Sequence, residues 1–223
     1  MTQTEDPARL QRPRTVCHVA SRIVLLVAGS TLSTLCYAVT IKASLGLGPL
    51  FVLQDGLSRR LGIAIGTAVI VTGFGLVVVA LALRPRPGPG PGTIVLPVLG
   101  GITLDAVLPY TPTLHGWPVR LAGVVLATWL MALGGALVIR ASVGIAAYDA
   151  VMLGLRRVFG SALAPTRVAM ESAALVAGWL LGGAVGIGTV VTGLLIGPGI
   201  AFWLRVLPGP DPAHLRRPRF AEP

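Results

Sequence analysis

Charge is what this sequence most lacks. Only 12% of its 223 residues are Asp, Glu, Lys or Arg, about half the roughly 25% of an ordinary soluble domain. Asparagine is absent, so no N-glycosylation sequon exists. Lysine occurs once, at Lys42, against 17 arginines. The two cysteines, Cys17 and Cys36, share no spacing motif, which excludes a disulfide scaffold and a cysteine metal site. Aromatic residues make up only 5%. No phosphate loop, His-Glu-x-x-His zinc motif or Gly-x-Ser-x-Gly elbow is present, and the three histidines are scattered. With no catalytic constellation, metal ligand set or cofactor motif, the chain is expected not to be an enzyme.

What is present is apolar. Hydrophobic residues reach 54% and the mean hydropathy is +0.82. They come in long runs, which excludes disorder and points to an all-α, polytopic membrane protein. The net charge of +10 does not argue for nucleic acid, because no basic stripe carries interleaved aromatics. The arginines cluster at the ends of apolar runs, as the positive-inside rule wants. Six segments are long enough to span a core of about 30 Å: 23–41, 63–83, 93–109, 121–139, 168–187 and 189–207. Two more, 45–58 and 143–155, reach only about 20 Å at ~1.5 Å per residue. They read as re-entrant or half-helix segments. Residues 1–21 and 208–223 read as Arg/Pro-rich cytoplasmic tails, and 84–92 as a Pro/Gly loop.

The short segments expose an internal repeat. At a shift of 98, Arg22 meets Arg120, Lys42 meets Arg140, and Ala43-Ser44-x-Gly46 meets Ala141-Ser142-x-Gly144. Residues 22–59 against 120–157 give 12 identities in 38. Gly92-Thr93 meets Gly188-Thr189 at a shift of 96. Membrane repeats over 22–110 and 120–207 follow. If the short segments re-enter, 14 basic residues lie inside and four outside; if they cross, the count is again 14 to four. Both arrangements put both termini in the cytoplasm of a bacterial cell. Length favours re-entry and inverted halves. Matched charges favour parallel halves. Re-entry is preferred.

The chain resembles the YczE/YyaS/YitT-type bacterial integral membrane proteins. The resemblance rests on Leu45-Gly-Leu-Gly-Pro49, Gln54-Asp-Gly-Leu-Ser58, Gly62-x-x-x-Gly66-Thr67, Tyr148-Asp149, Arg167-x-x-x-Glu171 and Gly182-Gly-x-x-Gly-Ile-Gly-Thr189. It spans about residues 22–207. The chain departs at Phe51, where similar members often carry an acid, and at Ala146-Ala147, where a Gly-Pro pair is usual. A symmetric pair of acidic sites therefore does not follow. The resemblance implies a membrane location and a repeat, and no particular substrate.

Acids in apolar runs are costly, at least about 2.5 kcal/mol each on insertion scales. Four stand out: Asp55, Asp105, Asp149 and Glu171. Glu171 lies one turn after Arg167, on one helix face. Asp149 sits in the second short segment. Asp55 and Asp105 lie near segment ends, where snorkelling explains them. The runs around Gly46, Gly48 and Pro49, around Gly144, and at Pro198 read as helix breaks, tolerated at depth only where they line a cavity or are buried in protein. Most of the glycines, including Gly62/Gly66, Gly178/Gly182/Gly186 and Gly193/Gly197, read as positions where helices approach closely. The leading expectation is a small-solute or ion transporter. Its site would lie between 44–55 and 142–153, with Ser44, Ser142, Asp55, Asp149, Arg167 and Glu171 as contacts. The alternative is a non-transporting scaffold or accessory factor for a biosynthetic or secretion complex. Partners are then the bilayer, the solute, and a second copy or another membrane protein.

Overall fold

The computed structural model describes residues 12–83, 90–143, 146–160 and 162–207. Among them all regular structure is helical: α1 (Arg12–Ala43), α2 (Pro49–Leu61), α3 (Ile65–Leu83), α4 (Pro91–Val107), α5 (Trp117–Ala141), α6 (Ala147–Phe159), α7 (Leu163–Leu180) and α8 (Ile187–Val206), with one 3-10 turn at Leu108–Tyr110. Residues 1–11 and 208–223 of the expected tails, and 84–89 of the expected loop, lie outside the described residues, as does Gly144.

Glycine and proline set many boundaries. Pro49 and Pro91 begin helices, where the missing N–H has no partner to lose. The helices α2 and α6 stop at Gly62 and Gly160, with φ of +66° and +61°, a left-handed geometry that glycine adopts without strain. The helices α1 and α5 stop in the same geometry on serine, Ser44 at φ +49° and Ser142 at +51°. Both serine N–H groups donate back to the isoleucine three residues earlier, Ile41 or Ile139.

The structure moves three expected boundaries. Residues 12–21, expected as tail, are the first turns of α1, since propagating a helix costs far less than starting one. Pro198 does not break its helix: α8 runs through it, as α4 runs through Pro97. Gly199 lies against Ala132 of α5, so the turn that holds Pro198 is clamped by packing. Five helical stretches are long and apolar enough to cross a membrane: Ala20–Ala43, Ile65–Leu83, Pro91–Tyr110, Trp117–Ala141 and Ile187–Val206. The expected sixth, 168–187, is instead α7 and the turn after it, and it is not among the five. Arg167 and Glu171 lower the mean hydropathy of α7. The spans present bare apolar side chains outward, Val78, Leu126 and Leu194 being 65%, 60% and 69% exposed. Apolar faces on this scale mark a membrane surface.

The core is the pair α1–α5, which runs antiparallel. Arg120, at the start of α5, donates to the carbonyls of Ala43 and Ser44, at the end of α1, at 2.6 and 2.7 Å. Midway, Ser33 Oγ donates to the Met131 carbonyl. Further on, Gly29 and Gly134 meet so closely that a Cβ on either would lie 2.6 Å from the other's carbonyl oxygen. The end of the bundle that holds Ser44 and Arg120 is called upper here, and the other lower. From the upper end, α8 descends beside α5: Gly188 N–H donates to Leu45 O, Thr192 faces Thr128, and Arg140 reaches Leu204 O at the lower end. The hairpin α3–α4 is closed by Gly66 against Gly101 and by Gly73 against Pro97.

The short helices sit at opposite ends. After Ser44 the chain descends beside α8, with Gly46 against Gly186 and Thr189, then Gly48 against Thr192. Then α2 climbs back along α7, Val52 lying at Gly178 and Gly56 at Leu181. At the lower end, Val143 O accepts the Gly92 N–H, and Gly154 of α6 packs on Leu83 of α3.

Candidate functional site

The polar residues expected to form one site fall into two groups. Ser44 lies beside Arg120, and Ser142 follows 22 residues later along α5, so roughly 33 Å separates them at ~1.5 Å per residue. The expected site between 44–55 and 142–153 therefore does not bring Ser44 and Ser142 together. The antiparallel α1–α5 pair carries these segments to opposite ends. Ser44 and Ser142 are helix caps, their exposed hydroxyls turned back onto the preceding turn.

The upper group belongs to α2. Asp55 is buried and its Oδ2 accepts from Arg59 Nε at 2.9 Å and from the Ala184 N–H at 2.8 Å. It fastens α2 to the α7–α8 turn and does not snorkel. Asp105 behaves alike, its Oδ1 accepting the Gly66 N–H at 2.7 Å. Gln54 is not among the contact residues that the sequence suggests. It is 5% exposed and its Oε1 has no hydrogen-bond partner among the described residues. Its sequence signals are an amide inside an apolar run and its place at the head of Gln54-Asp-Gly-Leu-Ser58.

The lower group joins α6 and α7. Arg167 Nε donates to Glu171 Oε1 at 2.9 Å, as the spacing predicts. Their side chains are 39% and 27% exposed. Asp149 stands in the first turn of α6, within electrostatic reach of Arg167. Among the described residues the buried Tyr148 hydroxyl has no hydrogen-bond partner, and it feels the charges of Glu171, Arg167 and Asp149. Three of the expected contacts, Asp149, Arg167 and Glu171, thus do come together, with Tyr148 added. Among the described residues no three His, Cys, Asp or Glu side chains gather where a metal ion would fit. An apolar groove of about 670 Å³ between α5 and α8, lined by Pro118, Leu121, Val125, Trp129 and Leu195, holds none of these residues and reads as lipid-facing surface.

The helices and their apolar faces define a helical membrane protein. The chain belongs to the family described as "Family of unknown function (DUF6198)", whose model matches residues 20–205. It is also similar to an uncharacterized protein of Haemophilus influenzae, 28% identical over 188 residues, which cover 79% of this chain and 84% of that one. No solved structure matches it.

Proposed function

We propose that the protein is a small-solute or ion transporter of the bacterial inner membrane, built from two inverted halves, with both termini cytoplasmic. Each half has three crossings and one re-entrant helix: α1, α3 and α4 with α2, then α5, α7 and α8 with α6. Catalysis is no part of this reading, and a relation to the YczE/YyaS/YitT-type proteins fits it. The observation that carries it is the antiparallel α1–α5 pair, which joins at Ser33 and Met131, residues 98 apart. A two-fold axis through that contact relates equivalent residues and turns one half over. Further bonds repeat in the same register: Gly92 to Val143 and Gly188 to Leu45, then Gly90 to Thr93 Oγ1 and Gly186 to Thr189 Oγ1. Inverted halves with broken segments near mid-depth are the architecture of alternating access.

The halves differ where a transport cycle needs them to. The seam α3–α4 is closed through Gly66, Gly73 and Gly101. Its counterpart is open: α7 packs on α2 and α6 and scarcely touches α8. Glu171 stands where the first half has Gly73, and Pro198 where it has Gly101. The partial exposure of Arg167 and Glu171 fits a lower, cytoplasmic opening at that seam. In this reading α7 is the sixth crossing, about 27 Å long for 18 residues at ~1.5 Å each, its charges paired with each other.

The test is flux into proteoliposomes of the purified chain across a panel of small ions and neutral solutes. Flux above protein-free vesicles, reduced in Asp149→Asn and Arg167→Gln at unchanged yield, is expected. No flux for any member sinks the transport reading. The scaffold reading draws on Gly193 and Gly197, where an added Cβ would meet nothing within 4 Å among the described residues, which leaves room on α8 for another helix.

A further inference from the structure

We infer that α7 is a gate: in a second state of the protein it swings onto the Gly193 and Gly197 face of α8, while α3 leaves α4. This gate rests on the inverted halves proposed above and supplies the movement that turns one state into the other. The two halves hold the same pair of helices in two arrangements. In the first, Gly73 of α3 lies so near Pro97 of α4 that no room is left for a Cβ. In the second, α7 packs on α2 and α6 and scarcely touches α8. Inverted halves exchange such arrangements when the access side changes.

The side chains along the open seam are complementary. Along α3 and α7 the matching shift is 98, and along α4 and α8 it starts at 96, where Gly92-Thr93 meets Gly188-Thr189. Gly73 then corresponds to Glu171, and Pro97 to Gly193. In the closed seam the small residue is on the first helix and the large one on the second. In the open seam these sizes are exchanged. An added Cβ at Gly193, or at Gly197 one turn on, would meet nothing within 4 Å among the described residues. The hollow on α8 thus stands where the Glu171 side chain would enter. Ile70, about one turn back from Gly73, also lies against α4. Its match in α7 is Val168, which is 62% exposed. The glycines alone name no occupant; the closed seam does.

A hinge lies at the top of α7. Gly182 has φ +90° and open space around it, so its backbone absorbs rotation at little cost. Two residues on, Ala184 is fixed by Asp55 and by the Leu47 N–H. The helix α8 stays on α5, held at Thr192, Gly199 and Leu204. Val52 and Leu53 of α2 meet α7 at Gly178, one turn from the hinge, where the swing is smallest. Closure covers the partly exposed Arg167 and Glu171, whose charges are costly wherever lipid reaches them. Opening the first seam breaks the bond from Gly66 to Asp105. Each state keeps one seam closed, so the two lie close in free energy.

The test is oxidative cross-linking of the full chain in proteoliposomes, in a cysteine-free background. Val168→Cys and Gly197→Cys sit on the two open faces, so this pair should fold as the parent does. Copper phenanthroline is expected to join the two thiols within one chain. The rate should exceed that of a control pair, Val168→Cys with Leu195→Cys, by about tenfold or more. Leu195 lies on the α5 side of α8. Adding Gly193→Leu fills the hollow. It should leave the thermal midpoint unmoved, since that face is empty here, and slow the cross-link by about tenfold through overpacking of the closed seam. Equal rates in the two pairs, including none in either, overturn the gate. So does a cross-link that Gly193→Leu does not slow. A disulfide between two chains, seen as a dimer on a non-reducing gel, overturns it as well and gives that face to a second copy. Cross-linking within one chain but without flux would leave the gate standing and remove transport; flux without the cross-link would do the reverse.

Discussion

Single residues carry the energetics at the ends of the bundle. Asp55 satisfies a buried backbone N–H and a guanidinium together. Arg59 is 60% exposed, so the ion pair itself contributes little, and the bond to Ala184 dominates. Asp55→Leu copies the matched Leu153 and leaves that N–H orphaned. It should destabilise by about 1.5–3 kcal/mol, and Asp55→Asn, which keeps an acceptor, by clearly less. Thermal unfolding in detergent measures both, and equal losses would show that the charge matters more than the acceptor. Ser44 and Ser142 make the opposite prediction. Both hold a left-handed backbone, so Ser44→Gly and Ser142→Gly should stabilise by about 0.5–1 kcal/mol. A solute-binding serine would lose flux on that change, and a helix cap would not. The sequence showed Asp149, Arg167 and Glu171 because charge in an apolar run is conspicuous. Gln54 stayed hidden because a lone amide is not, and its missing partner is a three-dimensional fact.

At the scale of helices, glycine is used in two ways that look identical in sequence. At Gly66, Gly101 and Gly178 an added Cβ would meet backbone of the neighbouring helix, so each is a point of close approach. At Gly193 and Gly197 it would meet nothing within 4 Å among the described residues. Gly66→Ala or Gly178→Ala should therefore destabilise by about 1–3 kcal/mol through overpacking. Gly193→Ala and Gly197→Ala should leave the unfolding free energy within about 1 kcal/mol of the parent's, as surface changes do. If the second pair instead breaks up an oligomer seen by size-exclusion chromatography, a helix of another copy or partner packs there, and the scaffold reading gains. The small-xxx-small spacing records which residues share a helix face. It does not record what that face meets. Pro198 teaches the same point: its place in the sequence suggests a break, yet packing of Gly199 on α5 keeps the turn helical.

At the scale of the molecule the decisive quantity is direction. If the halves are inverted, α2 and α6 approach from opposite faces of the membrane. Leu61 and Phe159, at their far ends, are 59% and 74% exposed. In a cysteine-free background, Leu61→Cys should react with an impermeant thiol reagent in intact cells, and Phe159→Cys only in inside-out vesicles. Labelling of both from one side would end the inverted arrangement.

The sequence alone determined five of the six expected apolar spans, the interruption after Ser44, the two short segments and the spacing of 98 at which two stretches of the chain match. Each of these is a local or one-dimensional property of composition and order. It did not determine whether the halves run parallel or inverted, because a match at constant spacing has no direction and the arginines divide equally well either way. Tertiary packing bears on that choice. Gly29 and Gly134 let α1 and α5 approach backbone to backbone, and Arg120 holds the end of α1 against the start of α5. That pairing runs antiparallel, as inverted halves require. It separates Ser44 from Ser142 and gathers Asp149 with Arg167 and Glu171.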